Sequence, residues 1–115
     1  MSENDNTIEE IRVSLEQVQA IIQEAEALNR LANNPDFRAV ILQSYFRDEP
    51  ARLVELKAAA NMQDPRMQEH ILRGFDAIGY LQQHFNKVFA LADTARESVK
   101  QGEAEIEALT EQDML

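Results

Sequence analysis

From residue 71 to residue 109 one small or apolar side chain recurs every three or four positions without interruption: Ile71, Gly74, Ile78, Leu81, Phe85, Val88, Ala92, Ala95, Val99, Gly102, Ile106 and Leu109. A stripe of that period, held for more than five heptads, fits a helix that lays one face along another helix. Asp64-Pro65 in front of it supplies an N-cap with proline at the first helical position. The pattern predicts a helix over 64–110, roughly 65 Å long. Lengths of that order are far above the ordinary mean and usually belong to coiled coils. Gly74 and Gly102 fall on the stripe itself, where a glycine permits close approach or a local bend.

A second stripe, Ile8, Ile11, Leu15, Val18, Ile22 and Ala25, has the same rhythm. Thr7 followed by Glu10 matches a capping box, and the NNPD run at 33–36 ends the helix, giving an arm over 7–33. Residues 1–6 are polar and are expected to be disordered. Between the arms, residues 36–61 read as two short helices. The first is capped by Asp36; the second starts at Pro50 after a break at 47–49, because proline lacks an N–H and disfavours helical geometry before it. The expected fold is all-α: one domain over 7–115 with long helix, two short helices and longer helix, the first and last forming an antiparallel hairpin around a small aromatic-rich centre.

Charge follows the same division. Residues 1–34 carry seven acids against Arg12 and Arg30, and residues 91–115 seven acids against Arg96 and Lys100, whereas 35–90 carry seven of each sign. All seven aromatics, Phe37, Tyr45, Phe46, Phe75, Tyr80, Phe85 and Phe89, lie in the neutral middle. With a net charge of −10 and no basic patch, direct nucleic-acid binding is disfavoured. The chain has no cysteine, so disulfides and thiolate metal sites are absent. No leader-like segment and no membrane-spanning run appear, which points to a soluble intracellular protein.

Catalytic patterns are sparse. His70 and His84 share a helix side but stand fourteen residues apart, too far to share one metal ion. The acids at Glu103, Glu105 and Glu107 spread around their helix, and Asp48-Glu49 has no fixed histidine, serine or lysine beside it. Phosphate-loop, nucleophile and dinucleotide motifs are missing. The reading is therefore no enzyme, no cofactor, no metal and no small-molecule substrate. Specificity falls instead to the aromatic centre. Phe37, Phe75 and Phe85 are expected in the core. Tyr45 and Phe46, about 100° apart on an α-helix, cannot easily both face inward, so one is expected at the surface with Arg47 and Arg52 as a partner-binding set. The oligomerisation seam is Ile8, Ile11, Leu15, Val18, Ile22, Ile78, Leu81, Phe85, Val88, Val99, Ile106 and Leu109. Surplus heptads at the C-terminal end could pair between chains.

The segment NPDFRAVILQSYFRDEPARLVEL, with AIGYLQQHF later, resembles short helical virion and head-assembly proteins of tailed bacteriophages. Asn34, Phe37, Tyr45-Phe46, Glu49, Arg52-Leu53 and the stretch from Ile78-Gly79 to Phe85 carry the resemblance, which covers about residues 34–90. It implies a non-enzymatic oligomer, in the virion or the host cytoplasm, that binds itself and other virion or assembly proteins. Charge alone supports another class, a small acidic inhibitor or decoy on a basic surface of a host or defence protein. An assembly chaperone holding a client between its arms is a third.

Overall fold

The computed structural model describes residues 2–115. They form α1 (Glu3–Ala32), a short α2 (Pro35–Phe37), a π-helix (Arg38–Asp48), α3 (Glu49–Ala58), a 3₁₀ turn (Ala60–Met62) and α4 (Pro65–Met114), with no strand among the described residues. The all-α order of long, middle and longer helices is the expected one. The boundaries are governed by caps that the sequence pattern misplaced. At the N-terminus the Asp5 N–H donates to Ser2 Oγ at 3.1 Å and the Ser2 N–H to Asp5 Oδ2 at 3.2 Å, a reciprocal capping box. The helix therefore starts at Glu3, and Thr7, expected as the cap, lies inside it and donates back to the Glu3 carbonyl. Residues 3–6, expected to be disordered, are helical; Met1 lies outside the described residues. Asp64 does cap α4, accepting from the Arg66 N–H at 2.8 Å.

By packing, the residues group into two compact units, Met1–Ala27 with Val88–Leu115, and Leu28–Lys87. In the first unit the two helix segments run antiparallel in one fixed register. The Asn4 side chain donates to Asp113 Oδ1 at 3.0 Å. Eleven residues forward on α1 and eleven back on α4, Leu15 presses on Gly102, its Cδ2 2.8 Å from where a Cβ would stand. The same register sets Ala25 opposite Ala92, both fully buried, and Ala95 beside them is 3% exposed. Small side chains at the contact let the helices approach closely, and Ile8, Ile22 and Val88 close the seam. Ser2 and Asn4 reach Gln112 and Asp113, so α4 has no C-terminal overhang. Its extra length over α1 belongs to the other unit, which removes the expected surplus of unpaired heptads.

In the second unit Asn34, not Asp36, caps the middle segment: its side chain accepts from the Asp36 and Phe37 N–H groups at 2.9 and 3.1 Å, with Pro35 at the first helical position. From Pro35 the helix continues to Ala58 without the expected break. Its winding widens to a π ladder over Arg38–Asp48, the last bond running from the Glu49 N–H to the Ser44 carbonyl five residues back. Pro50 stands immediately after that bond. In an α ladder its ring would meet the carbonyl four residues back; the wider π ladder carries the chain across the proline. Asp48, at the junction with α3, makes no side-chain cap bond.

The return to α4 is tied by two glutamines. Gln63 Nε2 donates to the Lys57 and Ala59 carbonyls, and Gln68 Nε2 to the Lys57 and Met62 carbonyls, at 2.7–3.1 Å. They satisfy backbone acceptors that the end of α3 leaves open. Beneath them Leu53, Ile71 and Ile78 form the buried core, with Tyr45, Phe46, Leu56, Met62 and Phe75 packed against it.

Candidate interaction surfaces

The structure separates the four side chains expected to bind a partner together. Tyr45 and Phe46 are both half-buried against the Leu53 core. Their rings stand 5.9 Å apart, and Phe46 continues to Phe85 at 5.7 Å and Phe85 to Phe37 at 6.1 Å. The π winding is the reason: it turns the chain less per residue than an α-helix, so adjacent side chains share the inward face. The exposed anchor expected at Tyr45 or Phe46 is therefore absent. The aromatics that do face solvent are Tyr80, 76% exposed, and Phe89, 38% exposed, both on α4.

Arg52 donates from Nε to Glu49 Oε2 at 2.9 Å and from Nη2 to the other carboxylate oxygen, a two-pronged pair on the surface of α3. The hydrogen bond from Arg52, and then its charge, hold the Glu49 carboxyl below its usual range and raise the Arg52 guanidinium. Such an exposed pair contributes little to stability. It leaves Arg52 bound to its own helix. Arg52 also borders a groove with Leu53, His70, Ile71 and Gly74.

Arg47 points elsewhere. With Arg38 it lines an open groove of about 560 Å³, completed by Asn33, Pro35, Leu42 and Gln43. Neither Arg38 nor Arg47 makes an ion pair or a side-chain hydrogen bond among the described residues, whereas Arg52, Arg73 and Arg96 are engaged by Glu49, Glu69 and Asp93. Arg38 was not singled out from sequence. Nine residues are about two and a half turns of α-helix, which places the two arginines on opposite faces, and only the π ladder brings them to one.

Every seam residue expected from the heptads is buried or half-buried: Ile8, Ile22, Ile78 and Val88 are buried, while Ile11, Leu15, Val18, Leu81, Phe85, Val99, Ile106 and Leu109 are half-buried. Within the first unit this burial comes from the two segments of one chain. The acids are left on the outside. Met1–Ala27 with Val88–Leu115 holds fourteen acids against Arg12, Arg96 and Lys100, a net of −11, while Leu28–Lys87 holds seven acids against eight bases, a net of +1. Among the described residues no three histidine or acidic side chains gather as a metal site, and no helix is long and apolar enough to cross a membrane. No protein-family model, curated protein or solved structure matches the chain.

Proposed function

We propose that this protein works by docking, as a non-catalytic structural or assembly protein whose acidic helical hairpin seats on a basic protein surface. The observation that carries the reading is the segregation of charge, −11 on the hairpin unit and +1 on the other. A hairpin whose apolar stripe is closed within the chain presents carboxylates outward, and such a field steers and selects basic partners. The resemblance to phage virion and head-assembly proteins supplies the setting: a particle or its assembly pathway, in the virion or host cytoplasm, with other virion proteins as partners.

A test uses a helical peptide with arginines along one face, labelled for anisotropy. The wild-type chain is expected to bind it with an affinity that falls steeply with salt. Replacing Glu9, Glu10, Glu103, Glu105 and Glu107 by Gln is expected to weaken binding about tenfold or more. Equal binding by the two proteins would overturn the reading. The same charge also favours the second reading, an acidic inhibitor or decoy of a host or defence protein. Mass spectrometry of purified particles separates the two: an assembly protein co-purifies with particles or their precursors in fixed proportion, and a decoy does not.

A further inference from the structure

We infer that the Arg38–Arg47 groove is a socket for the acidic hairpin of a second copy of this chain. The inference rests on the docking reading above and names the basic surface.

The socket is built by backbone winding. In a π ladder residues four and five apart lie above one another, so Arg38, Leu42 and Arg47 form one column, charge, apolar, charge, over two turns. Long π segments are rare and their hydrogen bonding is less favourable than that of an α-helix. Here the segment produces a face that α winding would divide. Both arginines are exposed and Leu42 between them is half-buried, so the column offers two guanidinium groups around an apolar floor. Guanidinium groups suit carboxylates through paired N–H donors.

The chain carries the complementary column on α1. Glu9, Val13 and Glu16 are spaced four and three apart, hence on one helix face over two turns. Val13 is 46% exposed, and Glu9 and Glu16 are exposed beside it. A shallow surface hollow lined by Asn6, Glu9, Glu10, Val13 and Ser14 marks the spot. Two acids around an exposed valine therefore match two arginines around a half-buried leucine in order, period and opposite sign. Such a contact joins different patches of two copies, a heterologous interface.

Sedimentation equilibrium tests this at low salt. The wild type is expected to self-associate, with a dissociation constant rising about tenfold or more between roughly 50 and 300 mM salt. Arg38→Glu with Arg47→Glu, and separately Glu9→Lys with Glu16→Lys, are each expected to lose association about tenfold while keeping their circular dichroism. Joining all four substitutions in one chain is expected to restore it, because the signs are exchanged in register. Failure of this rescue, or wild-type association by the Arg38/Arg47 variant, overturns the socket. A wild type that stays monomeric yet still binds the arginine-faced peptide overturns the socket and leaves the docking reading standing. Loss of peptide binding as well overturns both.

Discussion

Three glycines sit inside α4, and their surroundings assign them different roles. Nothing lies within 4 Å of where a Cβ would stand at Gly79, whereas at Gly102 the Leu15 methyl is 2.8 Å away. A helix-interior glycine costs about 1 kcal/mol against alanine. Gly79→Ala is therefore expected to raise the unfolding free energy by about that amount in a urea melt. Gly102→Ala must displace Leu15 and is expected to gain nothing. Equal gains at both sites would mean that Gly102 does not set the helix approach. Glu49 gives a residue-scale acid dependence. Because Arg52 lowers its folded-state pKa, its contribution is present above the ordinary carboxylate range and is lost as pH falls through the lowered value. Glu49→Gln should remove that small acid-side slope, read by comparing melts of the two proteins from neutral to acid pH.

Among the elements, the middle segment departs most from the sequence reading. Its existence as helix, the Asp64 cap and both stripes were legible, because three-four periodicity and N-cap chemistry are local signals. Winding was not legible. Pro50 at an expected break and Tyr45-Phe46 on expected diverging faces both assume α geometry, and the π ladder over Arg38–Asp48 changes both outcomes at once. It also hides the socket, since Arg38 and Arg47 belong to opposite faces under that assumption. The stripe residues were read as an oligomerisation seam, but periodicity carries no information on whether the partner helix is in the same chain. The register between Asn4 and Asp113 and between Leu15 and Gly102 shows that here it is. Pro50→Ala restores an N–H at the end of the π ladder. The expected result is a shift of the nearest bonds from five residues back to four, visible as changed hydrogen-bond couplings in NMR, with weaker self-association as Arg47 rotates away from Arg38. An unchanged ladder would mean that Pro50 does not hold the winding.

For the molecule as a whole, uneven charge implies uneven stability. The unit at −11 repels itself and the unit at +1 does not. Raising salt from about 0.02 to 0.5 M shortens the screening length several-fold. In dilute protein, hydrogen exchange is expected to slow more for α1 amides in the first unit than for α3 amides in the second. A uniform response would show that self-repulsion does not limit the hairpin. The winding has a consequence of another kind, in chain length. An i→i+5 ladder uses close to one more residue per turn than an α ladder, so eleven π residues hold roughly two residues of slack. Deleting two residues within 38–48, combined with Pro50→Ala to remove the ring that an α ladder would meet, can thus be absorbed by rewinding to α while the flanking turns keep their facing. The same deletion inside α1 or α4 would put every following seam residue out of phase. Residues 38–48 are where this chain holds length to spare, and rewinding them would both divide the socket and turn Tyr45 and Phe46 onto diverging faces.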